Sequence, residues 1–594
     1  MGNNQKKRKQ QNNTLNILQD LMKSNLIAQT HIDLQLKNCT LSDKQVAQLN
    51  NCLVQCQKLE SLVLNLNKEN ISDDQINQLL NKYCRIKNFV EISNNVSNDQ
   101  IYSQILFFLN FFYKKKNHDC QELRLKDIEA QGNILLEETM SNLINLNSLQ
   151  LNLDGNQLGD GGAVWICKIL RRCKTLNNLN LQLWKNKLGD RGISIIAEGI
   201  SSCAKLTTLT LNAVANLFGK EGAFSISKTL SSCKMLTHLD INLSNNQIGE
   251  EGASAICTVI GSCQLLENLK FVLCNNQIGD GGAFSFGTAL SNLQLLINLK
   301  FCLRQNKISD KGALNVGLGL SQCNQLKNLE IGMDGNQIGN DGAQNIGLGL
   351  SKCTQLTNLV FSIAKNQIGD DGASTIGTAL GNCKFLTNLS FYIWGNQIGH
   401  IGAQNIGLGL SKCTQLTNLV FSISQNYIRN DRYSTIRTAF GNSIWIPQPS
   451  LFMCNYIGDK GAQNIGLGLS KCTQITNLQF YISYNQIGND GASTIGTALG
   501  NCKFLTNLTF DIYGNRISDK GAQHIGLVLS NYTQLTNLAF RSDNDKKFLK
   551  SREIINCKNI KLLNLFLYEL PEQRNVEIKR LAQKIKRLVK LKID

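Results

Sequence analysis

An asparagine followed by a turn sequence recurs at Asn156, Asn186, Asn216, Asn246, Asn276, Asn306, Asn336, Asn366, Asn396 and Asn426, each 30 residues after the last. The series continues at Asn455, Asn485 and Asn515 after the loss of one residue. A fixed period in the range of 20–50 residues is the mark of stacked, like units, and it overrides the 594-residue length as a guide to domain number. Whatever this chain folds into must therefore be built by repeating one small element.

A representative unit is LTNLVFSIAKNQIGDDGASTIGTALGNCKF, Leu356 to Phe385. Leu359, Phe361 and Ile363 alternate with Val360, Ser362 and Ala364, the period of two of a strand with one buried face. After Asn366, Gly369 permits a tight turn and Asp370 reads as a helix N-cap whose carboxylate accepts a backbone N–H. Ala373, Ile376 and Leu380 then fall at helical spacing. Gly372 and Ala373 are expected to let helix and strand layers approach closely, and the anchor asparagine to bond the turn backbone of neighbouring copies. One strand and one short helix cannot cover their own apolar sides, so copies must stack and share a core.

The pattern LxxLxFxIxxNQIGDDGAxxIGxxLxxC resembles the ribonuclease-inhibitor-like subclass of leucine-rich repeats, the type also found in the sensor regions of NOD-like receptors and in Ran GTPase-activating protein. It also resembles the 30-residue repeat arrays of protists. The resemblance implies an α/β fold: a leucine-rich-repeat solenoid, a curved horseshoe with a parallel sheet on its concave face and helices on its convex face. Two residues are added before the asparagine relative to the family's LxxLxLxxN, which predicts longer strands and a wider concave face.

The chain then reads as four segments. Residues 1–30 form a basic tail, disordered or a short helix; 31–144 hold divergent N-terminal repeats, of which Leu62–Cys84 and the region near Asn95 are worn copies. Residues 145–540 are the regular array, and 541–594 a basic C-terminal cap. In the array GNSIWIPQPSLFMCN (441–455) breaks the pattern with Pro447 and Pro449, which would remove ladder hydrogen bonds from a central strand. A bulge, break or hinge is expected there, and a paired frameshift in the source sequence would look the same. Ile105–Tyr113 is too short to span a bilayer and reads as a helix in a divergent repeat. Val576–Leu591 reads as a basic amphipathic helix, either a cap for the stack or a surface for acidic lipid or helix-binding partners.

The net charge of +18 is uneven: residues 1–30 carry five Lys/Arg against one acid, 541–594 fifteen against seven, and 31–540 only 41 against 35. Basic character thus belongs to the ends, and nucleic acid or anionic membrane ranks as a secondary partner there. Ten of the 21 cysteines occupy one repeat position, from Cys173 to Cys502, with no CxxC pair and no zinc spacing, which favours thiols of a reducing compartment over a disulfide framework. The basic start lacks an apolar h-region, no run of 18 apolar residues occurs, and Lys6 stands where a myristoylation motif wants Ser or Thr. A cytoplasmic protein is expected, with a nuclear one as the alternative.

The five histidines are scattered over different repeats, and HExxH, Walker A, GxSxG and kinase signatures are missing, so neither an enzyme nor a cofactor or metal site is expected. Function is sought instead at the outward strand positions, six, four, two and one residues before each anchor, which the fold does not dictate. These give Trp184 and Lys185 early; Lys270, Lys300 and Arg304 in the middle; and Tyr392, Trp394, Tyr481, Tyr484 and Tyr513 late, with Asp511 among them. Aromatic and Arg side chains are enriched at binding hot spots, although cross-strand pairing alone also accounts for them. The reading is a non-catalytic scaffold, monomeric by itself, that grips a protein partner on its concave face. A small-GTPase activator or immune-type sensor is the alternative, on resemblance alone.

Overall fold

Each described copy of the regular array spends its alternating segment on a five-residue strand and its 3.6-period segment on a helix of three to four turns. The computed structural model describes residues 31–35, 61–66, 90–94, 122–126, 146–424, 457–542, 560–565 and 590–593. The chain divides into two compact units, Met1–Ile248 and Gly249–Asp594.

In the first unit eight strands pair in parallel and in chain order, from His31–Gln35 to His238–Asn242. Those at Ser61–Leu66 and Val90–Asn94 fall in the two segments read as worn copies. In the second unit the ladder runs from Asn268–Val272 to Asn537–Arg541 and then to Leu562–Leu565 and Lys590–Ile593. The strand Asn537–Arg541 thus carries the array past residue 540. Ile105–Tyr113 and the expected C-terminal helix lie outside the described residues, except Lys590 and Leu591, which belong to a strand.

The core of one copy is the apolar set legible in its sequence. Leu359, Phe361, Ile363, Ile368, Ala373, Ile376, Leu380, Cys383 and Leu386 are all at most 1% exposed. Burying a large side chain of this kind contributes about 1.5–3 kcal/mol. In-register stacking places like on like: Phe361, Phe391, Phe421 and Phe480 stack with ring centroids 5.3–5.7 Å apart.

The anchor asparagine bonds the preceding copy. Asn306 Nδ2 donates to the Leu273 carbonyl (2.8 Å), while its Oδ1 accepts from Asn276 N (2.8 Å) and Ile278 N (3.4 Å). A second ladder, unread in the sequence, starts the strands from Asn268–Val272 to Asn537–Arg541: of the nine asparagines from Asn268 to Asn537, each after the first passes a side-chain amide hydrogen to the one before.

Three local expectations are corrected. The strands are not lengthened; Asn358–Ser362 has five residues, and the extra length continues the inter-repeat bonding, with Ile363 N on Tyr392 O (3.0 Å) and Lys365 N on Trp394 O (2.9 Å). Gly372 serves helix–helix rather than helix–strand approach, since an added Cβ would stand 2.8 Å from Ala343 Cβ of the preceding helix. Asp370 does not cap its own helix, which has Gly369 at its N-cap. Its carboxylate accepts from Gly399 N (2.8 Å) and Gly402 N (2.7 Å), capping the helix of the next copy. The same bonds join Asp190 to Gly219 and Gly222, Asp310 to Gly339 and Gly342, and Asp459 to Gly488 and Gly491. Neutral Asn340 and Asn489 make them too.

Where the neighbouring helix offers Glu250 or His400 instead, the capping residue reorganises. Gly279 and Gly458 take φ of 57° and 58°, a region open mainly to glycine, and turn their N–H groups to the carbonyls of Asn306 and Asn485 (both 3.1 Å). The helix then begins at the glycine itself.

The bulge, break or hinge expected of the irregular copy at 441–455 falls outside the described residues. The strand Asn418–Ser422 pairs directly with Asn477–Tyr481, a step of 59 residues instead of 30. Asn485 Nδ2 correspondingly donates to the Ile423 carbonyl, 62 residues back. Residues 425–456, with both prolines, lie outside the described residues; the pairing is unbroken across them because Leu419–Leu478 and Phe421–Phe480 keep the core in register.

Candidate interaction face

The sheet face turned away from the helices carries the side chains that the core does not claim, and register decides which of them meet. Trp184 stands in the first unit. It is 39% exposed, its N–H bonds Asp154 Oδ1 (2.7 Å), and the Lys185 ammonium lies 4.4 Å from its ring centroid. Beside it runs a polar row, Asn152, Gln182, Asn212 and Asn242, in which Asn212 Nδ2 donates to Gln182 Oε1 (2.8 Å).

The other nine predicted residues stand in the second unit and form two different surfaces. Lys270 and Lys300 are direct cross-strand neighbours and form a cationic stripe. The stripe is neutralised at its far side, however. Lys300 Nζ meets Glu330 Oε1 at 2.7 Å and Arg304 Nε meets Asp334 Oδ2 at 2.5 Å. Glu330 and Asp334 sit at the same outward positions one copy later, so reading the next repeat at the same offsets would have found them. An open anion-binding stripe is not what this region presents.

The late aromatic residues do come together. One cross-strand row reads Ser362, Tyr392, Ser422, Tyr481, Asp511, Arg541. With strands about 4.8 Å apart, Tyr392 and Tyr481 stand about 10 Å from each other across Ser422. Trp394, whose ring centroid lies 4.9 Å from Lys365 Nζ, and Tyr513 extend the two walls. The small residue Ser422, buried on the strand between them, forms the floor, with Ser483 beside it. Ser483 Oγ bonds Ser424 Oγ at 3.1 Å between the walls. The omission of a 30-residue step from the ladder is what brings Tyr392 and Tyr481 within two strands.

The far wall is rigid. Tyr484 and Tyr513 pack edge to face with centroids 5.5 Å apart, and the Tyr484 ring lies over Gly514, where any added Cβ would clash with it. Tyr481 Oη bonds Gln479 Oε1 (3.2 Å). Burial first, then the nearby Tyr392 and Asp511, push the Tyr481 phenol above its usual range. Asp511, expected as an outward contact, is only 9% exposed and is spent internally. It accepts from Tyr513 N (3.0 Å) and faces Arg541 (3.4 Å), whose guanidinium lies 4.4 Å from the Tyr513 ring centroid. Asp511 is thus a positioning residue. Arg541, assigned from sequence to the C-terminal cap, is the cation of this cluster.

Among the described residues no three His, Cys, Asp or Glu side chains converge as a metal-binding group, and no helix is long and apolar enough to cross a membrane. Four stretches, 145–167, 232–257, 356–377 and 474–496, match the profile described as leucine-rich repeat. The fold is a leucine-rich-repeat array. No curated protein matches the sequence. Among solved structures, an internalin from Listeria monocytogenes is similar at 19% identity and a TM-score of 0.41, covering 70% of this chain and 86% of that one. Leucine-rich-repeat arrays are in general non-catalytic.

Proposed function

We propose that the protein is an interaction scaffold whose second unit grips a protein partner in the notch walled by Tyr392 and Trp394 on one side and Tyr481, Tyr484 and Tyr513 on the other. The observation that carries this reading is the pairing of half-exposed aromatic walls with a floor of small residues at positions the repeat leaves open. Aromatic side chains bury large areas at small entropic cost, and walls fixed by ring contacts have already lost most of that entropy before binding. Trp184 with Lys185 is a separate contact of the first unit. Lys270, with Lys300 and Arg304 and the acids that pair with those two, sets polar register at the rim, where charges steer association more than they hold it.

Quantitative affinity purification with the wild-type chain and a Tyr392→Ala/Trp394→Ala/Tyr481→Ala variant tests the reading. Partners held at the notch drop from the variant's set while its circular dichroism is unchanged; identical partner sets refute it. No observation favours GTPase activation or a sensor role, and the basic ends proposed for nucleic acid or membrane fall largely outside the described residues.

A further inference from the structure

Two cysteines differ from every other described one. Twelve are buried in the stack, whereas Cys274 and Cys302 are part-exposed, on the open face of the second unit. Cys274 lies two residues before its anchor Asn276, and Cys302 four before Asn306 in the next copy, so they meet on a diagonal between adjacent strands. The same diagonal elsewhere is a close polar contact: Ser362 Oγ bonds Asp334 Oδ1 at 2.6 Å. For the cysteines it brings Sγ and Sγ to 2.6 Å. That is shorter than thiols pack without bonding, and about half an ångström beyond a disulfide's ~2.05 Å. On the next strand Gly332 keeps the pair open, because a Cβ there would stand 3.1 Å from Cys302 Sγ.

We propose that Cys274 and Cys302 form a reversible thiol–disulfide site on the open face, oxidised by hydroperoxides and reset by small or protein dithiols. The hydrogen bond to Cys274, then burial, hold the proton on Cys302, so Cys274 is assigned the attacking role. The Cys274 thiolate attacks one peroxide oxygen; the S–O bond forms, the O–O bond breaks, and the leaving oxygen takes up the proton given off on ionisation and departs as water, leaving a sulfenic acid. That step removes the charge that held the Cys302 proton, and Arg304 close by favours the second thiolate. Cys302 sulfur then attacks Cys274 sulfur, the S–S bond forms, the S–O bond breaks and a second water leaves. Two thiols and one hydroperoxide thus yield one disulfide and two waters, or one water and an alcohol for an alkyl hydroperoxide; a dithiol returns both electrons and protons. The stacked cysteines do not compete, since burial pushes thiols such as Cys323 and Cys383 up to about 12 and shields them.

The test uses the full chain, a small excess of hydrogen peroxide, native blocking with N-ethylmaleimide, and non-reducing peptide mapping. We expect a cross-linked pair of peptides containing Cys274 and Cys302, about 2 Da lighter than their sum, that disappears after dithiothreitol. In Cys302→Ser the link is lost and dimedone marks Cys274. Recovery of both residues as separate maleimide adducts, or as separate sulfinic acids, in peroxide-treated wild-type protein overturns the proposal without recourse to a variant.

Discussion

If the carboxylate of one copy caps the helix of the next, the cost of removing it depends on the residue it caps. Asp310→Ala takes away the acceptor of Gly339 N (2.7 Å) and Gly342 N (2.8 Å). Loss of an N-cap costs about 0.5–2 kcal/mol, and Gly339 can soften it by turning to positive φ, as Gly279 and Gly458 do. We expect about 1 kcal/mol. Asp280→Ala removes three bonds, to Ser309 N (2.7 Å), Ser309 Oγ (2.6 Å) and Gly312 N (3.0 Å). Ser309 carries a Cβ, so the same escape costs a further ~1–2 kcal/mol, for a total of about 2–3 kcal/mol. Asp310→Asn keeps an acceptor, as Asn340 and Asn489 already do, and is expected within ~0.5 kcal/mol of wild type. Urea unfolding read by circular dichroism gives the totals. Hydrogen exchange over Asp310–Leu320 and Asn340–Leu350 localises them, since stacked repeats open locally. Asp280→Ala costing no more than Asp310→Ala, or Asp310→Asn as damaging as Asp310→Ala, refutes inter-copy capping.

Gly349→Ala is expected to lower the melting temperature although alanine is the better helix former by about 1 kcal/mol: the added Cβ would sit 2.2 Å from the Gly317 carbonyl oxygen of the preceding helix, and overpacking costs about 1–3 kcal/mol. A rise in the melting temperature contradicts the helix contact. Asn358→Ala interrupts the amide ladder between Asn328 and Asn388 and should cost about 1–2 kcal/mol in urea unfolding; no loss would make the ladder ornamental. Burial pushes the stacked thiols Cys323, Cys383 and Cys413 up to about 12. The unfolded chain ionises first, so this contribution to stability is whole below the ordinary thiol pKa of about 8.5 and lost as pH climbs towards 12. Urea midpoints should fall from pH 7.5 to 10, and the three thiols should resist maleimide at pH 8 until denatured; a rising midpoint contradicts the assignment.

The repeat, its strand and helix, and the core positions were legible because each rests on periodicity within one copy, and the anchor asparagine because its 30-residue recurrence stacks it on the turn of its neighbour. What was not legible crosses between copies. Asp370 looked like a cap for its own helix since the two N–H groups it serves are 29 and 32 residues away. Lys300 and Arg304 read as outward positions of their own copy, whereas Glu330 and Asp334 meet them across one strand step. The notch could not be read from a 30-residue period, because Tyr392 and Tyr481 are neighbours only through a 59-residue step. Cys274 and Cys302 passed unnoticed for a similar reason: they occupy different offsets of successive copies, and only the diagonal of a parallel ladder unites them.

The most direct test of the interaction face is site-specific photocrosslinking in the native cell. A benzophenone-bearing phenylalanine analogue replaces Tyr481 in the notch or, in a second strain, Leu348, which is 58% exposed on the helix side. We expect a discrete, competable protein adduct from position 481 and none from 348; adducts from 348 alone, or the same adducts from both, would contradict a partner held on the strand face.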